Sequence, residues 1–508
     1  MKKNKSMVFI ATMALILIGM FSACSPEKGN YLSSLPAESS VVIKLNLAQM
    51  AQKSNLANNP MVNGVLMQAE GNIPESLKEK VLEIKEDPRS AGFDLEKPLT
   101  IALILHDITD NFKTHVVAVA ALSDGVKFNE LMVQLAAADE SISIEKAGEG
   151  IHRIKITGND EVDIVYNDNR IVATATDDLS AVALINQKAE QSMLKNPDFE
   201  DFAETTNDYA IFADYGWATE AVQQLNDPSL SIPPTLQLMN GCSVYCSVNF
   251  EQGKIVGESK FYANEDMKKL QELFHLQPSG KYVGLLPKNT YLAFNGGIQN
   301  TAEIFNLMGE KESMEIEQAL QSMNLSKDIL NSIEGEIMLG VFDESNPMGI
   351  PSFILAAECK DRNLFDAVKV MTDNTSTEGD VLNIMGYYIA LIDNTLIATT
   401  KNIYDQCLAE GKIKDLSENW KNNPLADVLK KGGMVIDFQA IANNELLNQL
   451  KNNREVNVAL TILKQLNHFT AQYENMQEGK AELTFKDSNK NALEQLISIG
   501  IGAAMAYQ

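Results

Sequence analysis

Apolar and polar residues alternate along short stretches of this chain, and two of these stretches resemble each other. Residues 162–179 read VDIVYNDNRIVATATDDL, with apolar residues at alternate positions on both sides of Asp168-Asn169. A period of two predicts β-strands, and a polar pair between two such runs predicts a tight hairpin turn. Residues 385–404, MGYYIALIDNTLIATTKNIY, repeat the pattern with Asp393-Asn394 as the turn. A helix is predicted after each hairpin, with Asp177 as the expected cap of the first.

The surroundings of the two hairpins also match, which predicts a tandem duplication. One unit opens at Leu35-Pro36 with a strand-like run and a helix, and the other opens at Leu286-Pro287 in the same way. Each continues with a strand pair, a helix, the hairpin, another helix, an Asn-Pro junction, a strand and a closing hairpin about a glycine turn. We therefore predict repeat units at residues 35–276 and 282–508, joined by a Pro- and Gly-containing linker at 277–281.

The short connections between strands determine the predicted fold class. Tight hairpins leave little room for parallel crossovers, so each sheet is expected to be mostly antiparallel. With helices between the strand pairs, the prediction is an α+β fold: a tandem duplication of an antiparallel sheet unit with helices packed on one side. Residues 56–95 are longer than their counterpart, and their amphipathic stretch around Leu77–Ile84 predicts an added helix.

The first 23 residues have the pattern of a lipoprotein signal peptide. Basic residues at Lys2 to Lys5 precede an apolar run from Met7 to Met20, which is too short for a typical membrane span. Phe21-Ser22-Ala23-Cys24 then resembles a bacterial lipobox, which implies thioether lipidation of Cys24 and cleavage before it. Residues 24–34 would form the lipidated tether. The alternatives are a plain N-terminal anchor and a secretory signal without lipidation.

Composition and charge exclude some classes of partner. The chain has 508 residues, is 45% hydrophobic and 22% charged, and carries a formal net charge of −26. The composition is ordinary for a folded protein. The excess of acids argues against nucleic acid as a partner, because phosphate binding needs a cationic surface, and against electrostatic adsorption to anionic lipid. The expected contact with the membrane is therefore the N-terminal acyl anchor.

The lipobox and the opening at Leu35–Asn46 together carry a family resemblance. The opening has the form Leu-Pro-x-x-Ser-x-Val-Val-Ile-x-Leu-Asn, and the chain resembles a family of Bacteroidota lipoproteins of unknown function over essentially its whole length. The resemblance implies a place in the cell envelope and a fold, and no reaction. Surface-exported lipoproteins of these bacteria often carry several acids after the cysteine, whereas only Glu27 occurs here. This favours the periplasmic face of the outer membrane over the cell surface.

Motifs for common chemistries are missing or weak. The sequence has no Gly-x-Ser-x-Gly elbow, His-Glu-x-x-His helix or phosphate loop. One turn is flanked by His106 and His115 and also contains Asp107 and Asp110. Histidine and aspartate can bind zinc, but the second unit has no histidine in the same place. We therefore interpret them as a polar hairpin loop. No catalytic, cofactor-binding or metal-binding residue is predicted.

The cysteines and tryptophans are interpreted as packing residues. Two of the cysteines, four positions apart on a predicted strand, would lie about 13 Å apart, too far for a disulfide. A cross-domain disulfide is the alternative to buried thiols. Trp217 and Trp420 are expected to pack in the core rather than to form sugar platforms. The cysteines other than the lipidated one are Cys242, Cys246, Cys359 and Cys407.

The sequence favours a non-enzymatic, lipid-anchored envelope protein that binds a partner protein or an apolar ligand. The expected site is the cleft between the two units, because pockets favour domain interfaces. The alternative is an envelope hydrolase that acts on glycan or peptide through a carboxylate pair, which sequence spacing does not reveal. A purely structural role is a third hypothesis. Two carboxyls with opposed pKa shifts would favour the hydrolase, and an apolar groove or patch would favour binding.

Overall fold

The computed structural model describes most of the chain after Asn30. The predicted signal peptide, Cys24 and the first part of the predicted tether lie outside the described residues. The last part of that tether, Tyr31–Ser34, is a buried 3-10 helix rather than a free linker. The structure describes residues 30–507 except 56–72, 108–112, 159–161, 176–178, 218–237, 275, most of 300–326, 345–351, 372–379, 385, 409–411, 417–419 and 421–422.

The chain divides into two compact units, each described here by itself. The predicted repeat boundary at 277–281 is a division of the sequence, and it stays a prediction. Compact unit 1 comprises Met1–Leu225, Gly241–Gln252 and Asn489–Ile501, and compact unit 2 comprises Asn226–Asn240, Gly253–Ser488 and Gly502–Gln508.

An antiparallel sheet forms the body of compact unit 1. Its strands, among the described residues, are β1 (Val41–Leu45), β2 (Leu99–Asp107), β3 (Lys113–Ala121), β4 (Ile142–Gly148), β5 (Ile151–Ile156), β6 (Asp163–Tyr166), β7 (Arg170–Thr174), β8 (Tyr209–Asp214) and β9 (Ser243–Glu251). Neighbours pair in the order β9-β8-β1-β2-β3-β7-β6-β5-β4, and every one of these pairs is antiparallel.

Compact unit 2 contains a second antiparallel sheet. Its described strands are β10 (Lys254–Tyr262), β11 (Thr290–Ile298), β12 (Ile333–Phe342), β13 (Ser352–Cys359), β14 (Val381–Ile384), β15 (Tyr387–Ile392), β16 (Thr395–Thr400), β17 (Gly433–Asp437), β18 (Leu466–Tyr473) and β19 (Glu478–Phe485). Neighbours pair in the order β10-β19-β18-β17-β11-β12-β13-β16-β15-β14, again antiparallel. The run from β18 to β14 therefore has the same order along the chain and across the sheet as the run from β9 to β5.

Helices fill the connections between strands. In α3 the side chain of Asp124 accepts from the amides of Val126 and Lys127, and the buried residues of the helix recur at helical spacing from Phe128 to Leu135. The described helices are α1 (Leu47–Ser54), α2 (Glu75–Glu86), α3 (Gly125–Ala138), α4 (Ala181–Ile185), α5 (Glu200–Glu204), α6 (Glu265–Phe274), α7 (Asn363–Met371), α8 (Lys401–Cys407), α9 (Ala426–Lys430), α10 (Phe438–Ala442), α11 (Glu445–Gln449), α12 (Arg454–Leu463) and α13 (Ala492–Tyr507). The molecule is thus mixed α+β, as expected.

Helices contact both faces of each sheet, whereas one side was expected. On β7 of compact unit 1, Val172 belongs to a core with α4 and α5, while its neighbour Ile171 packs on the other face against the cluster that contains α3. In compact unit 2, α8 and α9 cover one face, and α7 packs on the end of the other. The central strands carry apolar side chains on both faces, but the helices on the second face cover only one end of each sheet.

The predicted hairpins form as expected. β6 pairs with β7 in register from Asp163–Thr174 to Tyr166–Ile171. In the second hairpin Asp393 and Asn394 have φ values of 48° and 61°, the left-handed conformation that a two-residue type I′ turn needs.

Two other predictions have different outcomes, and some strands were not predicted. Asp177 lies outside the described residues, and Ser180 caps the helix after the first hairpin by accepting from the amide of Ala183. The added helix is confirmed as α2. The sequence analysis did not predict the β4–β5 hairpin or β14.

Candidate functional site

One face of the sheet in compact unit 1 is mostly apolar across its central strands, with Thr114 opposite Leu105 and Tyr209 opposite Leu45 as polar neighbours. Ile43 on β1 lies opposite Ile101 on β2, and Ile101 lies opposite Ala118 on β3. Residues opposite each other on neighbouring strands share a face, so these side chains are contiguous. We call the following set, all partly exposed, the open face of compact unit 1: Val41, Ile43, Ile101, Leu103, Leu105, Val116, Ala118, Ala120, Ala173, Ile211 and Ala213.

Compact unit 2 has a corresponding face with more aromatic residues. Phe294 is 43% exposed, and the ring of Phe353 stacks on that of Tyr387 with centroids 4.9 Å apart. The open face of compact unit 2 comprises Leu292, Phe294, Ile337, Leu339, Val341, Phe353, Leu355, Met434, Ile436 and Phe469.

The open faces are not part of the cores that hold each unit together. Among the described residues, four buried hydrophobic clusters stabilise the molecule, and none of them includes an open-face residue. An antiparallel sheet usually has one apolar and one polar face, with the polar face in water. Contiguous exposed apolar surface of this kind is typical of binding sites.

The opposite, covered face of compact unit 1 contains a buried cation. Lys44 on β1 is 2% exposed, and its Nζ donates to the carbonyls of Phe202, at 2.5 Å, and Ala203, at 2.7 Å. These carbonyls lie near the end of α5, where a helix leaves acceptors without partners. Burial, with a smaller contribution from the charge of Lys97, lowers the pKa of Lys44 to about 7. Because Lys44 faces away from the open face, it is part of the scaffold rather than of a ligand site there.

Compact unit 2 has a buried amide and a buried carboxylate in the corresponding place. Asn295 on β11 donates through Nδ2 to Glu336 Oε1, at 3.0 Å, and to the carbonyl of Leu429 in α9, at 2.9 Å. Oε2 of Glu336, which is 2% exposed, accepts from the amide and hydroxyl of Ser279 and from the amide of Gly280. All of these groups lie on the covered face, so they too are structural.

The residues weighed as a metal site are only partly described. His106 lies on β2 and the buried His115 on β3, while Asp107 ends β2 and Asp110 falls outside the described residues. Within the described part of the chain, no group of three or more potential ligands is positioned to hold a metal ion.

The cysteines and Trp420 are packing residues, as predicted. Trp420 is 4% exposed and donates from Nε1 to the carbonyl of Pro287, whereas Trp217 is partly exposed. Burial raises the pKa of the Cys407 thiol to about 12, so this thiol is unreactive. The free thiols are Cys242, Cys359 and Cys407, all buried, and the partly buried Cys246. Cys24 and the cleft between the predicted units stay predictions.

The open faces are what the sequence analysis missed, although a signal was present. Residues 99–105, LTIALIL, and 353–357, FILAA, are nearly continuous apolar runs. A strand with one face in water alternates between apolar and polar residues, whereas a continuous run indicates a strand that is apolar on both faces. The runs were recognised as strands, but their second apolar face was not.

Comparisons with known proteins give a family and little more. The family model for a domain of unknown function, DUF4836, matches residues 31–493. No curated protein matches significantly. A solved structure of TP0453 in crystal form I has a TM-score of 0.26 and 10% sequence identity, and the match covers 48% of this chain and 84% of that one. A similarity this low carries no argument about fold or function. None of the described helices is both long and apolar enough to cross a membrane.

Proposed function

The chain belongs to the DUF4836 family of unknown function, and we propose that it is a lipid-anchored envelope protein that binds hydrocarbon chains on its open sheet faces. The observation that carries the proposal is the open face of compact unit 1, where every side chain is aliphatic and partly exposed. Apolar surface that stays in contact with water is unfavourable, at roughly 25 cal/mol for each Å².

Charge and polarity favour a hydrocarbon occupant over a protein. The chain has 68 acidic and 42 basic residues, whereas the residues that define the open face of compact unit 1 are all uncharged. A protein partner brings polar groups, and a typical interface makes about one hydrogen bond per 100–200 Å². The aliphatic side chains of the open face have no donor or acceptor to match them. An acyl chain has no such requirement, so it is the complementary ligand.

The hydrolase alternative receives no support from the described carboxyls. Such an enzyme needs one carboxyl whose pKa is raised so that it can act as the acid. Among the described residues, the carboxyls with a shifted pKa are lowered: Asp87 by its hydrogen bond to Arg89, Asp361 by that to Ser332, and Glu358 by Lys281 despite partial burial. We therefore propose binding rather than catalysis.

The proposal includes the predicted tandem duplication. The shared strand order supports it, and so do equivalent hydrogen bonds. Ser39 Oγ donates to the carbonyl of Pro36 at 2.6 Å, and Thr290 Oγ1 donates to that of Pro287 at 2.7 Å. The two open faces would then be two versions of one binding surface.

The proposal also includes lipidation at Cys24 and a place at the periplasmic face of the outer membrane, supported by the lipobox-like Phe21–Cys24. In cells fed a labelled fatty acid, the wild-type chain is expected to carry the label and to sediment with membranes. The variant Cys24→Ala should do neither, and a labelled Cys24→Ala chain would overturn the assignment.

Hydrocarbon binding is tested with the full-length Cys24→Ala chain, which has no acyl group of its own at this position. A fluorescent long-chain fatty acid should bind saturably and be displaced by the unlabelled acid. Ile101→Ser, in the middle of the open face of compact unit 1, should weaken binding by about tenfold, because it removes apolar contact area.

The matched control is Val126→Ser, on α3 outside the open faces, where the side chain is 65% exposed. It should bind like the parent chain. Absence of saturable binding would overturn the proposal. A photo-crosslinker placed at Ile101 that captures a protein and no lipid in native envelopes would instead identify a protein partner.

A further inference from the structure

The segment between the two predicted repeats is docked rather than loose. Gln277–Lys281 contains Pro and Gly, and the sequence therefore suggests a break. In the structure the Pro278 side chain is buried. The next residues form three hydrogen bonds to one oxygen of Glu336: Ser279 N at 2.7 Å, Ser279 Oγ at 2.7 Å and Gly280 N at 3.1 Å.

The carboxylate that receives these bonds is held from the other side as well. Its second oxygen accepts from Asn295 Nδ2, which is anchored in turn on α9 through the carbonyl of Leu429. A buried carboxylate is stable only when it is hydrogen-bonded, and here the segment supplies three of the four donors. Undocking the segment would leave the charge of Glu336 buried with one partner.

The surrounding backbone is shaped for this contact. Gly335, just before Glu336, has φ 131°, and a Cβ there would lie 2.2 Å from Glu358 Oε2. Gly280 has φ 76°, and a Cβ there would lie 2.6 Å from the Lys430 side chain. Only glycine fits at both positions. Lys281 then forms an ion pair with Glu358, which also accepts from the amide of Glu336 at 2.7 Å.

We infer that Gln277–Lys281 is a strap that Glu336 locks onto compact unit 2. The lock consists of three donors that converge on one oxygen of a buried carboxylate, which would lose these partners if the strap undocked. The inference is independent of the hydrocarbon-binding proposal, since the strap is on the covered face of the sheet.

Hydrogen exchange of the full-length chain tests the lock. The amides of Ser279 and Gly280 should exchange slowly in the wild type. In Glu336→Gln they should exchange at least ten times faster, because a charge-assisted acceptor is lost. Trypsin should also cleave after Lys281 faster in this variant. The matched control is Glu334→Gln, an exposed carboxylate on the same strand, which should change neither rate.

Ser279→Ala provides a second variant at an exposed position, where substitution should not prevent folding. It removes one donor and leaves both amides, so exchange at Gly280 should rise by about threefold. Wild-type amides at 279 and 280 that exchange as fast as those of an unstructured peptide would overturn the inference. So would a folded Glu336→Gln chain with unchanged exchange and unchanged cleavage.

Discussion

Lys44 and Asn295 occupy the same place in the two sheets and solve the same problem differently. Each lies on the first strand of its predicted repeat, opposite Ala210 on β8 or Gly433 on β17, and each is fully buried. Lys44 donates to carbonyls of α5, the short helix before β8, and Asn295 donates to a carbonyl of α9, the short helix before β17. In compact unit 1 the donor is a cation that also lies over the ring of Phe202, 4.9 Å from its centroid, whereas in compact unit 2 it is an amide that also bonds Glu336.

The difference shows that the shared strand order is compatible with a charged or a neutral buried donor at this position. The shared fold requires a buried donor at this position, because the helix carbonyls would otherwise be buried without partners. It does not fix the charge. In compact unit 2 the neutral amide of Asn295 also bonds a buried carboxylate, Glu336, and this carboxylate holds the strap.

The largest expected effect comes from removing the carboxylate. Glu336→Leu removes the acceptor of the amides of Ser279 and Gly280 and one of the two acceptors of Asn295 Nδ2, which keeps its bond to the carbonyl of Leu429. We expect a loss of about 3 kcal/mol in the free energy of opening β11 and β12, measured by hydrogen exchange. Glu334→Leu should cost less than about 0.5 kcal/mol. Equal effects of the two variants would contradict the role given to Glu336.

The next effect is a pH dependence specific to compact unit 1. Burial lowers the pKa of Lys44 in the folded chain from its ordinary value of 10.5 to about 7, so between these pH values the unfolded chain binds more protons than the folded chain. Stability must then rise with pH across this window and become constant above it. Relative to Lys44→Met, the wild type should gain on the order of 2 kcal/mol between pH 7 and pH 9.

The measurement is hydrogen exchange of β1 amides in both chains at each pH, corrected for the intrinsic exchange rate. The matched control compares the wild type with Asn295→Met through the exchange of β11 amides. The stability difference between these two chains should not change with pH, because the amide of Asn295 does not titrate. If the stabilities of the wild type and Lys44→Met changed equally with pH between pH 7 and pH 9, the lowered pKa of Lys44 would be contradicted.

The smallest effect tests the equivalence of the repeats. Ser39→Ala removes the hydroxyl donor to Pro36 and should destabilise β1 by about 1 kcal/mol. Thr290→Val should cost about half as much, because Trp420 Nε1 still donates to the Pro287 carbonyl. Local opening measured by hydrogen exchange checks both. A larger cost for Thr290→Val than for Ser39→Ala would mean that the two hydroxyls are not equivalent.

Local elements were predictable because their causes are local. The helix Asn363–Met371 lies where a helix was predicted, after the strand pair of the second repeat, and the turn at Asp393-Asn394 follows from residues that tolerate positive φ. The β4–β5 hairpin was missed although Ile142–Ile156 contains alternating apolar residues about a glycine turn. Its signal was present and was not used.

The candidate site was less predictable because it depends on which strands are neighbours. The run at residues 99–105 indicates a strand that is apolar on both faces, but the open face exists only because β1, β2, β3 and β8 lie side by side. Some of these strands, such as β1 and β8, are more than 100 residues apart in the sequence. The alternation of residues within one strand does not tell which strands pair with it.

By itself, the sequence determined the strands, the turns, most of the helices and the similarity between the two halves, because these depend on period, turn residues and caps within a few positions. Only the tertiary structure decided that Lys44 would be buried against α5, that Glu336 would accept from Ser279, 57 residues away, and that the central strands of one sheet face would stay partly exposed. The physical reason is that a buried polar group is satisfied by whatever the fold brings within 3 Å, and chain distance does not limit that choice.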